Sequence, residues 1–451
     1  MFLSGISNLA DSRLKSCGND NMTSILLPGS GQLKGIFCPP GDKSISHRAI
    51  MLGALSEGKS IYTHFLEAED CLHTLEAFRN MGVSIQHKKG TGRVEIKGAG
   101  LQGLKTPPAE LDLGNSGTSM RLILGILAGQ RFEATLTGDP SLSSRPMRRV
   151  TDPLKQMGAQ IKGRDNGNFA PLVIRGGRLK GIDFDNKLAS AQVKSALLLA
   201  GLYAETPTRI LEKIPSRDHT ERFFEAAGAR FKKEGEWLVI EKTEKLAPIE
   251  GQIPGDMSAA AFFLAGAAML PGSEVTIQDV GLNPTRAGIL PVLKRMGAHL
   301  EIKINQEKPE LLGTVHVKGA KLKGTRISRE EIPGLIDELP ILMTVMALAE
   351  GESLVSGAEE LRVKETDRIR SLATNLNAIG AKIQELPDGC LIQGVERFRG
   401  GVTVQSFGDH RTAMSLAIAT LAMEGDLVIE DTACVATSFP SFFEDFKRLR
   451  A

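Results

Sequence analysis

The sequence predicts an α/β protein of two similar domains, each made of three repeated units with buried parallel helices wrapped by sheet. Three observations carry that expectation. Apolar, helix-like runs end at Gly58, Gly129, Thr206, Gly272, Gly351 and Gly425, each followed by a short strand-like segment, at intervals of roughly seventy to eighty residues, the signature of a repeat. A second signal interleaves with the first: MGVSI from Met81, MGAQI from Met157, AGARF from Ala227, MGAHL from Met296 and IGAKI from Ile379 each read as a helix C-cap glycine entering a strand. Finally, SALLLAGLYA, AAAFFLAGAAML and TAMSLAIATLAM are apolar nearly all round, and helices of that kind must be buried.

The chain ends after Phe442 to Arg450, about where a sixth C-cap glycine would fall, so the count is six units with a boundary near Gln252. Residues 24–41 with 253–451 form one expected domain and residues 42–252 the other, with the site in the cleft between them. A length of 451 residues suits two cores better than one. A single elongated solenoid is the alternative, and burial of all six helices argues for compact halves. Residues 1–23 mix Ser, Asn, Asp and Gly without periodicity and read as a flexible extension.

Composition narrows the function classes. A net charge of +2 excludes a general polyanion-binding surface, so no nucleic-acid partner is expected, but it leaves room for a local basic pocket. Cys17, Cys38, Cys71, Cys390 and Cys434 are scattered without a CxxC pair, which supports neither a zinc site nor a disulfide framework and fits a reducing cytoplasm. The longest apolar runs, such as Ala259 to Leu270, are too short to cross a bilayer.

The polar residues missing from the helix bodies gather at their starts, where free N–H groups and the helix dipole attract anions. The first start, GDKSISHR from Gly41, places Ser44 and Arg48 one turn apart with Lys43 opening the helix. The second, LGNSGTSMR from Leu113, offers Asn115, Ser116, Gly117 and Thr118 as phosphate donors, and the third, LASAQVK, holds Ser190 and Gln192. The fourth, PGDMSAA, reads as ordinary capping by Asp256; the fifth, LIDELP, carries Asp337; the sixth, FGDHRTAM, carries Asp409, His410 and Arg411. Between the last two, LRVKETDRIR crowds Lys364, Glu365 and Arg368 together. Capping alone explains Ser, Thr, Asn or Asp at a helix start, but not Lys43, Arg48, Gln192 and Arg411 in the same places. Facing each other start to start, the halves would focus cations on a cleft suited to small polyanions.

GDKSISHRAIML, LGNSGTSMRLILG, SSRPM, SAQVKSALLLAG, RDHTE, NPTR, VKETDRI, GDHRTAM and TSFP resemble EPSP synthases in order and spacing over about residues 24–446, with SAQVK, RDHTE and NPTR similar to the bacterial class II form. The resemblance implies two inside-out α/β domains of three repeats each, an enolpyruvyl transferase fold, and transfer of the enolpyruvyl group of phosphoenolpyruvate to the 5-hydroxyl of shikimate 3-phosphate. It also implies a cytoplasmic monomer that needs no cofactor or metal, with glyphosate as an inhibitor at the donor site. Lys43, Ser44, Arg48, Ser190, Gln192, Arg217, Asp337 and Lys364 would then hold shikimate 3-phosphate. Lys43, Asn115, Gly117, Arg145, Gln192, Arg368 and Arg411 would hold phosphoenolpyruvate. Asp337 would take the 5-hydroxyl proton, and Glu365 and Lys43 would serve protonation and deprotonation of the methylene carbon. One departure is the absence of the lysine that many relatives carry just before Phe439-Pro440, where this chain reads CVATSFP.

Three rivals remain. The UDP-N-acetylglucosamine enolpyruvyltransferases share fold and donor, but they place a cysteine in the loop that here reads GDPSLSSRP, and no cysteine lies between Cys71 and Cys390. GALSEGKS, Gly53 to Ser60, fits the P-loop pattern letter for letter, yet it ends a helix and enters a strand, the reverse of what a P-loop needs. A non-catalytic relative that only binds phosphorylated metabolites is the third. His47, His219 and His410 read as structural hydrogen-bonding residues. The cleft faces, cationic in both halves, are expected to repel each other until an anion draws them together.

Overall fold

A computed structural model describes residues 24–307 and 310–451. The expected extension, residues 1–23, lies outside the described residues. Five four-stranded sheets share one plan. In the first, Glu250–Gln252 runs parallel to Glu57–Thr63, which pairs antiparallel with Arg93–Ala99, itself antiparallel to Ser84–Lys88. The same order, one parallel pairing followed by two antiparallel ones, recurs in the sheets that contain Glu133–Thr137, Thr208–Leu211, Glu274–Gly281 and Glu352–Val355. The sixth sheet keeps the plan with one strand fewer: Val402–Gln405 is parallel to Leu427–Glu430, and Ile25–Leu27 closes it antiparallel. Repetition of register, not only of hydrophobic pattern, therefore makes the chain six copies of one unit.

Each unit supplies one buried helix: Lys43–Leu55, Gly117–Ala128, Ala191–Gly201, Met257–Ala268, Leu339–Met346 and His410–Ala419. Past their first residues their bodies carry no charge apart from the buried Arg48, Arg121, Lys194 and Arg411, and they are buried on nearly every side, so the sheets must surround them. Packing is close enough that a Cβ on Gly125 would lie 2.2 Å from the Ala196 carbonyl oxygen, where the second and third helices cross. The outer, amphipathic helices end where the sequence places C-cap glycines. Gly82, Gly158, Gly228, Gly297 and Gly380 have φ of 86°, 113°, 73°, 102° and 94°, the left-handed region that lets the chain leave a helix for a strand.

Two hydrophobic cores form. One gathers Ile45 to Ile253; the other joins Leu27, Leu33 and Phe37 to residues from Met257 to Leu449. The chain crosses between them twice, and the crossings lie side by side: Gly41 bridges Gly255, the Asp42 N–H donates to the Pro254 carbonyl at 2.8 Å, and the Asp256 N–H donates to the Pro40 carbonyl at 2.7 Å. No helix among the described residues is long and apolar enough to cross a membrane. Gly53–Ser60 runs from the last turn of the first helix into the strand Glu57–Thr63, where Lys59 is exposed and pairs with Glu95. This is not a P-loop.

Candidate active site

Because the helices point their N-termini toward the junction of the two cores, their caps and first turns build the site. The first helix is capped by Asp42, which accepts from the Ile45 N–H at 2.8 Å. Lys43 Nζ meets Asp70 Oδ2 at 2.9 Å; burial works against the ammonium, but Asp70 outweighs it and raises the pKa. One turn on, Arg48 donates to the Ser44 carbonyl at 2.9 Å, to Thr220 Oγ1 at 2.8 Å and to Ser195 Oγ at 2.8 Å. Burial pulls this guanidinium down to about 10, against the opposing pull of Glu221.

The second helix begins at Gly117 behind its cap, Ser116. Arg145 Nη2 donates to Asn115 Oδ1 at 2.5 Å, and Asn115 Nδ2 donates to Asp139 at 2.6 Å. Gln192, in the first turn of the third helix, accepts from Arg121 Nη1 at 2.7 Å and donates to Thr118 Oγ1 at 3.0 Å. Arg121 is pulled down to about 10 by burial and by the nearby cations Arg149 and Arg145. Such a cluster of guanidiniums favours an incoming anion. Sequence reasoning passed over Arg121, although it stands four residues after Gly117 and hence on the same helix face. It also passed over Arg149, which reaches across to Glu360 at 2.9 Å.

The other half presents carboxylates. Asp337, just before the fifth helix, is paired with Arg217 from the opposite half and faces Arg368 at 3.5 Å, Arg286 at 3.8 Å and Arg411 at 4.0 Å. Burial opposes its ionisation, yet Arg217, Arg411, Lys364 and Arg286 hold its pKa well below the ordinary value. Arg411 also donates to the Asp337 carbonyl at 2.8 Å. Glu365 pairs with Arg368 at 2.6 Å and with Arg145 across the cleft at 3.8 Å; burial opposes its charge too, but Arg368 and its neighbours keep it below the usual carboxylate range. Asp409 caps the sixth helix through the Arg411 and Thr412 N–H groups and takes Arg368 Nε on its other oxygen at 2.7 Å. Lys364 forms no ion pair with the described residues, and its pKa is lowered chiefly by burial.

Thus Gln192, Asn115, Gly117 and Arg145 are linked through contacts between the second and third helix starts, and Asp337, Glu365, Arg368 and Arg411 through those of the last two, with Arg217 bridging the halves, while Lys43 bonds Asp70 and Lys364 acts on Asp337 through its charge. The expectation of mutually repelling faces is overturned, because the cations of one half meet Asp337, Glu365 and Glu360 of the other. Composition could not show this: it counts charges without assigning them to faces. Arg286, in NPTR, is a further omission; it binds Glu338 at 2.9 Å and reaches Asp256 at 3.4 Å, so the fourth helix cap does more than cap.

His47 bonds Thr74 at 2.8 Å and is lowered to about 3 by burial, and His410 is lowered to about 4 for the same reason. His219 bonds Glu310 at 2.8 Å. Near the segment that lacks the lysine, Thr437 lines a cavity of about 780 Å³ with Asp70, His73, Asn115 and Asp139. No cation from the segment enters it.

The family model for EPSP synthase (3-phosphoshikimate 1-carboxyvinyltransferase) matches residues 27–446. The chain is 51% identical over 417 residues to the 3-phosphoshikimate 1-carboxyvinyltransferase of Alkaliphilus metalliredigens, covering 92% of this chain and 97% of the relative. It is 52% identical over 419 residues to that of Methylococcus capsulatus, covering 92% and 95%. An EPSP synthase structure from Acinetobacter baumannii superposes with a TM-score of 0.85 at 46% identity, covering 95% of this chain and 98% of that one. The enolpyruvyl transferase NikO from Streptomyces tendae, at 16% identity and a TM-score of 0.78 over 96% and 98% of the two chains, shares the fold. With cationic helix starts facing paired carboxylates in that fold, the chain belongs to the EPSP synthase family and transfers the enolpyruvyl group of phosphoenolpyruvate to shikimate 3-phosphate, a step of the shikimate route to aromatic compounds.

Proposed function

We propose that the transfer is carried out in the cleft between residues 42–252 and residues 24–41 plus 253–451, with each half acting as a domain. Lys43, Ser44, Arg48, Ser190, Gln192, Arg217, Asp337 and Lys364 hold shikimate 3-phosphate. Lys43, Asn115, Gly117, Arg145, Gln192, Arg368 and Arg411 hold phosphoenolpyruvate, joined by Arg121, which touches Gln192. Arginine suits this work because its planar fork binds carboxylate and phosphate bidentately. The observation that carries the reading is the convergence of Arg217 from one half with Arg286, Lys364, Arg368 and Arg411 of the other around Asp337.

In the forward reaction the Lys43 ammonium, kept charged by Asp70, protonates the methylene carbon of phosphoenolpyruvate and leaves an oxocarbenium-like centre at C2. The 5-hydroxyl oxygen adds to C2 while Asp337 takes its proton. Glu365, an ionised carboxylate, then removes a proton from the new methyl group, the C2–O bond to phosphate breaks, and the enol ether re-forms. Groups of this kind each contribute about 10²–10⁴-fold when placed for proton transfer.

Glyphosate, an anion longer than phosphoenolpyruvate, competes for the donor positions around Gly117, Arg145 and Arg411. The protein acts in the cytoplasm as a monomer: both sides of the site come from one chain, and Cys38, Cys71, Cys390 and Cys434 are free thiols. Phosphate release measured with both substrates, and with each omitted in turn, tests the reading together with residue variants. Release that needs phosphoenolpyruvate and shikimate 3-phosphate together, and that fails in Asp337→Asn, is the expected result. Undiminished release by that variant would remove Asp337 from the mechanism.

A further inference from the structure

Lys194 is a fully buried lysine, one turn inside the apolar third helix, and nothing in the proton transfers above uses it. Its ammonium lies 2.9 Å from Glu212 and 2.7 Å from Glu221, both nearly buried, and donates to the Ser216 carbonyl at 3.2 Å. A buried lysine is costly, and stability alone would be served as well by an apolar residue in a helix of this kind. What distinguishes the site is where its partners lead. Glu212 Oε1 accepts from Ser216 Oγ at 2.5 Å and from Asn186 Nδ2 at 3.2 Å, and Asn186 Oδ1 accepts from the N–H of Ser190 at 3.2 Å. Ser216 precedes Arg217. Glu221 sits beside Arg48 and favours its charged form, while the residue after Lys194, Ser195, accepts directly from Arg48. One ammonium thus stands behind Ser190, Arg217 and Arg48, three groups that come from separate segments of the chain.

We infer that Lys194 is a positioning residue for the acceptor substrate, locking Ser190, Arg217 and Arg48 into one geometry for shikimate 3-phosphate through Glu212, Asn186, Ser216 and Glu221. The inference rests on the assignment of those three residues to that substrate. The charge balance explains how it works. Glu221 Oε2 is buried without a hydrogen-bond partner in the described structure, so removing the ammonium leaves two carboxylates, Glu212 and Glu221, the second of which acts on the charge of Arg48. Arg48 would be drawn from Ser195 and Thr220 toward Glu221, and the Ser216–Arg217 segment would lose its anchor.

Steady-state kinetics and calorimetric binding of shikimate 3-phosphate test this in Lys194→Met, Lys194→Arg and Asn186→Ala. Asn186→Ala cuts the link to Ser190 without stranding a buried charge, so it stays informative if Lys194→Met does not fold. The expected result is a rise of about tenfold or more in KM and Kd for shikimate 3-phosphate in Lys194→Met, partial recovery in Lys194→Arg, and about a threefold or larger rise in Asn186→Ala, with KM for phosphoenolpyruvate within about twofold throughout. Folded variants that lose thermal stability but bind shikimate 3-phosphate normally would overturn it, as would an equal rise in both KM values. Ser190→Ala and Arg217→Met separate the two levels. If they weaken shikimate 3-phosphate binding while Asn186→Ala and Lys194→Met leave it unchanged, the positioning role alone is wrong; if Ser190→Ala and Arg217→Met have no effect either, the substrate assignment fails first.

Discussion

Asp337 illustrates a tension inside a single residue. Four cations hold its pKa well below the ordinary carboxylate value, which secures the charge but weakens it as a base, and the closest of them, Arg217, comes from the other half. On the proposed assignment, shikimate 3-phosphate would resolve the tension by drawing Arg217 onto its own anion. Asp337→Asn and Glu365→Gln are each expected to lower kcat by about two to four orders of magnitude with smaller changes in KM, measured by phosphate release. Arg411→Lys should instead act mainly on KM for phosphoenolpyruvate, because a single ammonium cannot copy a bidentate fork. Gly117 is a second residue with a specific expectation. A Cβ there would lie 2.8 Å from Arg121 Nη1, which would have to shift, and 3.4 Å from Arg145 Nη1, so an added methyl would crowd the position proposed for the donor. Gly117→Ala should raise the inhibition constant of glyphosate more than KM for phosphoenolpyruvate, since the longer anion meets the obstruction first; equal shifts would mean that the methyl disturbs the pocket generally. The histidines enter through stability. His47 and His410, lowered to about 3 and about 4 by burial, are neutral in the folded chain, whereas the unfolded chain takes up protons below about 6.5. They favour folding above that pH and lose the contribution as pH falls toward their folded values. Thermal melts from pH 7 to 5 should therefore show a falling midpoint, and a flat midpoint would argue against neutral buried imidazoles.

At the level of elements, what the sequence made legible was whatever is written in local chemistry. The five C-cap glycines are recognisable because only glycine takes a positive φ cheaply, and every one of them has it. Helix starts were readable for a similar reason, since caps need short polar side chains and anion sites need cations. The pairing of Arg121 with Gln192 and of Arg149 with Glu360 was not, because each joins segments separated by 71 and 211 residues, and no local periodicity encodes which start faces which. Asn186 and Glu212 were invisible for the same reason: an ordinary loop asparagine and a glutamate acquire meaning only when a buried lysine joins them. Gly228 offers a clean test of the cap reading. Its φ is 73° and a Cβ would meet nothing within 4 Å, so Gly228→Ala isolates backbone strain from packing. The expected cost is about 1 kcal/mol in chemical denaturation with unchanged kcat. No loss of stability would mean that the helix end relaxes, and that the repeated glycine is not what turns the chain.

Across the whole molecule, the two halves meet through opposite charges. Arg217 faces Asp337, Arg145 faces Glu365 at 3.8 Å and Arg149 faces Glu360 at 2.9 Å, so the cleft is spanned by pairs whose cationic members include the expected anion-binding arginines. Those pairs are partly solvent-exposed, and salt weakens such contacts once the screening length falls from about 14 Å near 0.05 M to about 4 Å near 0.5 M. The two side-by-side crossings at Gly41 and Gly255 also join the halves, as do the buried His219–Glu310 contact and the bonds from Asp218 to Asn283 and Thr285, which salt screens less. Raising salt should then open the ligand-free molecule, seen by small-angle scattering as an increase of about 1 Å over a radius of gyration near about 22 Å for a compact chain of this length. Shikimate 3-phosphate should reverse the change, because on the proposed assignment the bound polyanion would bridge cations of both halves that salt has separated from their carboxylates. Arg149→Glu sets two like charges against each other at Glu360, and it should open the ligand-free molecule even at low salt while leaving the ligand-bound radius close to that of the unmodified chain. A radius that ignores salt, ligand and this reversal alike would show that the halves are fixed by their packing, and that the cross-cleft pairs serve the chemistry without governing closure.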